Sequence, residues 1–215
     1  MKSVLISIQP YWVFLIIAEI MGWNIGKQKT VEVRKNYPKD ENWDNVAKIY
    51  CSKDKRSFAK IPKEYQPLMD RFLGKVIGEF LCDKIETIEI RHFTVFGHEN
   101  RYAAVGDNPD NQWLAHSCLK YDEVAHYGKC APLFGWHISN LVIYDNPKKL
   151  DEFCIEDKSP CDNRERVYQN PDYNPTGGLI YGGNYCRKTH DWCKRCKVKR
   201  LNRPPQSWGY VEGEI

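Results

Sequence analysis

The stretch Ser3–Lys35, SVLISIQPYWVFLIIAEIMGWNIGKQKTVEVRK, constrains this chain most, because it is either a membrane segment or the start of a folded core. A secretory leader needs a basic start, an apolar run and a small-residue cleavage site. Lys2 and the run from Val4 imitate the first two, but Gln9-Pro10 interrupts the run and Glu19 follows Ala18. The uncharged run Ser3–Ala18 has 16 residues, short of the roughly 18 to 20 that a helical span needs. The expectation is a cytoplasmic chain without a membrane segment.

The core reading uses every residue of the stretch. Val4–Ile8 is β-rich, and Pro10 suits the first turn of a helix, where its missing N–H is not needed. From Tyr11 to Met21 apolar residues cover nearly the whole helical circumference, which predicts a buried helix. Lys29–Lys35, KTVEVRK, then alternates apolar Val31 and Val33 with polar Thr30, Glu32 and Arg34, the period of a strand with one packed face and one chemical face. Glu32 and Arg34 are same-face neighbours about 7 Å apart, and Lys29 reaches that face from the strand's entrance. On the pattern alone such a group reads as a surface ion pair on an edge strand.

With 215 residues, 42% hydrophobic and 13% aromatic, the chain can bury one good core, which excludes a disordered tail. A net charge of +4 permits an acidic partner such as RNA without requiring one. Further strands are predicted in Val46–Ser52 and Gly74–Ile90, separated by a charged loop, Lys53–Pro67. Tyr121–Tyr127 is predicted as a helical turn. Leu133–Phe153 reads as a strand, a turn at Asp145-Asn146-Pro147 and a brief helix, and Arg203–Val211 as an extended segment with a final strand. Helices are few and do not alternate regularly with strands, so the fold class is α+β with a small barrel rather than a doubly wound sheet. Residues 154–200 carry five of the nine cysteines and a basic run, and read as a Cys-rich lobe inserted into a domain of residues 1–153 plus 201–215.

SVLISIQP with its helix, KTVEVRK, KVIGEFLCDKI, LFGWHISNLVIYDNPKKLDEF and RPPQSWGYV, in that order, resemble the ASCH domain of the PUA-like superfamily, in its phage and prophage type. Lys29, Glu32 and Arg34 fit that family's G-x-K-x-x-E-x-R signature, while Gly26 stands one residue early. The resemblance implies a PUA-like small β-barrel with flanking helices, and a cleft between barrel and first helix that takes RNA or a nucleotide-like ligand. Lys29, Glu32, Arg34 and Lys35 are then the ligand-binding residues. It also implies an alternative, since some small ASCH proteins are amidohydrolases that release acetate from N4-acetylcytidine. They use a lysine and a threonine of the signature segment and a glutamate of a later helix. Lys29 matches the lysine, Glu32 stands in the threonine's place, and Glu123 corresponds to the glutamate. A ribonuclease built on the same cleft is a third reading.

In a reducing compartment clustered cysteines favour metal over disulfide. Cys193 and Cys196 form a C-x-x-C pair suited to one tetrahedral zinc, with Cys161 and Cys186 as the second pair and Cys154 or His190 as substitutes. A lobe poor in aliphatic residues gains from such a structural staple. Arg187, Lys188, Lys194, Arg195 and Lys197 flank this pair, an electrostatic footprint for nucleic-acid phosphates with Tyr185 and Trp192 available for stacking. Cys51, Cys82, Cys118 and Cys130 read as structural thiols.

Overall fold

The computed structural model describes residues 2–95, 98–105, 112–129, 131–156, 164–167, 183–186, 191–192, 198–211 and 213–214. It is a mixed α+β molecule made mostly of strands. The chain starts with β1 (Lys2–Ile8), whose residues from Val4 to Ile6 are fully buried. Pro10 then opens α1 (Pro10–Ile17), and Val13–Ile17 are buried. The helix ends earlier than its apolar run suggests. A tight turn follows, with Trp23 N–H donating to Ala18 O at 2.8 Å, and Gly22 takes φ +67, a left-handed conformation that glycine adopts freely. Gly26, at φ +70, turns the chain back, so that Lys29 N–H donates to Leu15 O at 3.1 Å.

The segment Val31–Arg34 is β2, and all four of its residues are buried. Next come β3 (Trp43–Cys51), β4 (Val76–Leu81), β5 (Ile85–Val95) and β6 (His98–Val105). The helices α4 (Gln112–Ser117) and α5 (Tyr121–Gly128) precede β7 (Leu133–His137) and β8 (Ser139–Lys148). Last of the larger sheet's strands is Trp208–Val211, the partner of β1. One sheet runs in the order Trp208–Val211, β1, β3, β4, β8, and the other in the order β2, β7, β5, β6. Among the described residues both sheets are open, with free edges rather than a closed ring. They meet at a corner where only Ile138 separates β7 from β8, and His137 N–H donates to Lys84 O at 2.9 Å. Val4, Ile6, Ile8, Phe14, Ile49, Phe80 and Trp136 fill the main core.

Two local expectations are corrected. The segment Lys53–Pro67 is not a plain loop. It carries α2 (Lys55–Phe58) and the start of α3 (Gln66–Asp70). The Asp54 carboxylate caps α2 by accepting from the Arg56 and Ser57 N–H groups, and Pro67 stands in the first turn of α3. Asp145-Asn146-Pro147 makes no turn, because β8 runs through it. Val76 pairs with Lys148 and Gly78 with Ile143, so the extra residues bulge out of the ladder. An edge strand tolerates both the bulge and the proline.

Of residues 154–200, the described parts form a small antiparallel sheet of Arg164–Val167, Gly183–Cys186 and Asp191–Trp192, and a strand, Phe153–Glu156, paired with both Val198–Arg200 and Gly213–Glu214. Among the described residues no helix is long and apolar enough to cross a membrane.

Candidate functional site

The strands β1 and β3 run parallel, with Ile8 opposite Cys51. Their carboxyl ends therefore lie side by side, and α1 and α2 both start from that end. Ser7 N–H donates to Ser207 O at 2.8 Å, which brings the approach to the last strand of the larger sheet to the same place. Against this end stands β2 of the second sheet, flanked by α4 and α5. The space between is a cavity of about 530 Å³ lined by Ser7, Gln9, Trp12 and Ser52 on one side and by β2 residues with Leu119, Glu123 and Tyr127 on the other. That volume suits a small organic ligand.

Its wall is a buried charge triad. Lys29, Glu32 and Arg34 are 2%, 5% and 8% exposed, so this is not the surface ion pair that the alternation alone suggests. Arg34 Nη2 lies 2.9 Å from Glu32 Oε1 and donates to Ser7 O at 2.6 Å. Lys29 Nζ donates to Val31 O at 2.8 Å and to Ser117 O at 2.7 Å, tying β2 to the end of α4. It approaches Glu32 Oε2 at 3.3 Å, a charge contact without a hydrogen bond, and lies 5.2 Å from the centre of the Trp12 ring. Burial pushes the Lys29 ammonium below the ordinary lysine range, and the Glu32 carboxylate opposes that shift. Two polar atoms of the triad, Glu32 Oε2 and Arg34 Nε, are buried and make no hydrogen bond among the described residues. Unmade hydrogen bonds at buried charged groups are costly, so an acceptor and a donor stand ready for a ligand.

Glu123, expected from the sequence, lines the same cavity, and its Oε2 accepts from Lys120 N–H at 2.8 Å at the start of α5. Lys35 is exposed and stands outside the lining, its Nζ 4.8 Å from the centre of the Tyr127 ring. Thr30 turns away, its Oγ1 at 3.1 Å from His116 Nδ1. Burial raises the Tyr127 hydroxyl above the ordinary tyrosine range.

The sequence did not point to Ser7, Gln9, Ser52, Asp54, Tyr127 or Gln206. Gln9, before Pro10, sits at the start of α1 without a side-chain capping bond and lines the cavity. Arg187, Lys188, Lys194, Arg195, Lys197, Cys161, Cys193, Cys196, His190 and Cys130 lie outside the described residues. Cys186 lies in Gly183–Cys186, opposite Arg164 and Asp191, and Cys154 is buried next to Phe153. Among the described residues no three His, Cys, Asp or Glu side chains are grouped to hold a metal ion. No family model matches the chain, and no curated protein matches its sequence.

Proposed function

We propose that the chain binds a nucleoside unit, free or within RNA, with the base against Glu32 and Arg34. The observation that carries this reading is the pair of buried atoms without a hydrogen bond among the described residues: Glu32 Oε2, which has only the charge contact with Lys29, and Arg34 Nε. A carboxylate oxygen that accepts beside a guanidinium N–H that donates complements the pairing edge of a nucleobase, which sets a donor next to an acceptor. Trp12 and Tyr127 offer aromatic surface in the same cavity. The cavity is poorly suited to a bare phosphate, because its two cations are already engaged by Glu32 and three carboxylates, Glu32, Asp54 and Glu123, line it. Phosphates of a longer ligand belong outside, toward exposed Lys35. The ASCH resemblance supports the reading, the two sheets being taken as halves of one PUA-like barrel.

Hydrolysis of an N4-acylated cytidine is the second reading, favoured by Lys29 and Glu123 facing one cavity. The pairing of Thr30 with His116 outside that lining favours binding without turnover. Zinc held by Cys193, Cys196 and two of Cys161, Cys186, Cys154 and His190 is a separate proposal, checked by elemental analysis of protein prepared without chelator.

The test is calorimetric titration of the full chain with cytidine, uridine, adenosine and a short single-stranded RNA, repeated with Glu32→Gln. Saturable binding that the variant weakens by about 1.5 to 3 kcal/mol, the worth of a charged hydrogen bond, is expected. Absence of binding to all four ligands, or binding indifferent to Glu32→Gln, overturns the reading; acetate release from N4-acetylcytidine that Lys29→Ala abolishes replaces it with the enzyme.

A further inference from the structure

The cavity has a second side that the base reading leaves unused. Ser52 follows the last residue of β3, and its N–H donates to Ile8 O at 2.9 Å, which fixes the residue at the joint carboxyl ends of the two parallel strands. Its Oγ is buried and has no hydrogen-bond partner among the described residues. Asp54 lines the same side. Its Oδ1 accepts from Arg56 N–H at 2.9 Å and Ser57 N–H at 3.0 Å, so the carboxylate is held in place while Oδ2 takes no hydrogen bond within the described residues. Gln9 also lines this side, without a capping bond. A hydroxyl, a carboxylate oxygen and an amide, facing one another across the cavity from Glu32 and Arg34, offer both donors and acceptors but no cation.

We propose that this side is a sugar subsite, in which Ser52 and Asp54 hold the vicinal hydroxyls of a ribose, so that the cavity selects ribonucleosides over 2′-deoxyribonucleosides. This rests on the nucleoside reading and assigns the part of the ligand that reading leaves open. The hydroxyls of a diol donate to the Asp54 carboxylate and exchange hydrogen bonds with Ser52 Oγ, which can donate once and accept twice. A phosphate would meet the Asp54 carboxylate here, and none of Ser52, Asp54 and Gln9 offers it a positive charge. A deoxyribose lacks one of the two hydroxyls, and a site built to bond a hydroxyl discriminates against the analogue without it, because a buried polar group is left unpaired.

The test is calorimetric titration of the full chain with cytidine and 2′-deoxycytidine, and with adenosine and 2′-deoxyadenosine. It is done for the wild type, for Ser52→Ala and for Asp54→Asn, which retains a residue able to cap α2. The ribonucleosides are expected to bind roughly ten- to a hundredfold more tightly. Each variant should reduce ribonucleoside affinity toward the deoxyribonucleoside level and leave the latter nearly unchanged. Equal affinity for both sugars, or an equal loss for both sugars in the variants, overturns the sugar subsite and leaves the base reading standing. Failure of all four nucleosides to bind overturns both.

Discussion

The Arg34 guanidinium and the Glu32 carboxylate meet at 2.9 Å on one face of β2, with their side chains only 10% and 7% exposed. Because Arg34 also donates to the Ser7 carbonyl of β1, this pair joins the smaller sheet to the larger one at the mouth of the cavity. Its role is thus structural as well as recognitive. Removing one partner of a buried pair leaves an uncompensated charge. Arg34→Ala is therefore expected to destabilise the chain by about 3 to 5 kcal/mol, read as a lowered urea midpoint. The double variant Arg34→Ala with Glu32→Ala should lose less than the sum of the single losses. A single-variant loss under about 1 kcal/mol, the range of an exposed pair, contradicts the buried strut.

Glu79 sets an acid limit on stability. Burial alone would raise its carboxyl, but hydrogen bonds from Lys48 at 2.7 Å and Tyr144 at 2.8 Å outweigh burial and hold it below 4.5. A carboxyl depressed in the folded state binds fewer protons there than in the unfolded chain. Its contribution is complete above the unfolded value near 4.5 and fades as pH falls through the folded value. Glu79→Gln should flatten the decline of stability below that point, measured by denaturation at a series of pH values; an unchanged acid slope counts against this assignment.

Burial raises the thiols of Cys51 and Cys82 to about 12. The thiolate is the reactive form, so both should resist iodoacetamide in native protein at pH 8 and react once urea unfolds the chain. Peptide mapping by mass spectrometry separates them from the other cysteines. Alkylation of either at native rates equal to those in urea would show that it is not enclosed.

At Gly78 the strands β4 and β8 approach so closely that an added Cβ would stand 2.2 Å from Val142 O. That neighbour is backbone and cannot rotate aside. Gly78→Ala is expected to cost about 1 to 3 kcal/mol by overpacking, and a thermal midpoint equal to the wild type's would mean that β8 shifts freely.

What could be read in advance follows from what leaves a periodic trace. The strand before Pro10 and the helix after it were legible, because apolar continuity and a proline at the first helical position are local signals. The end of α1 was not, since the apolar run continues to Met21 and a left-handed turn at Gly22 decides the boundary. Alternation placed Glu32 and Arg34 on one face of β2, but gave no hint that they are buried. The partners that enclose the triad are distant in sequence, Ser7 of β1 against Arg34 and Trp12 of α1 beside Lys29. The opposite wall is harder still: Ser52 and Asp54 lie in the polar run SKDK, which carries no period, and they line the same cavity as Glu32 only because two parallel strands end together.

The most direct measurement observes Arg34 Nε, the buried donor that makes no hydrogen bond among the described residues. In ¹⁵N-labelled protein, the Arg34 Nε–H signal, assigned by its loss in Arg34→Lys, is followed while cytidine is added. Binding of the base edge should move this signal progressively to a plateau, with the same dissociation constant as calorimetry, and should slow its exchange with water. A signal that stays in place while cytidine binds, or while cytidine fails to bind at millimolar concentration, contradicts recognition of a nucleobase by Glu32 and Arg34.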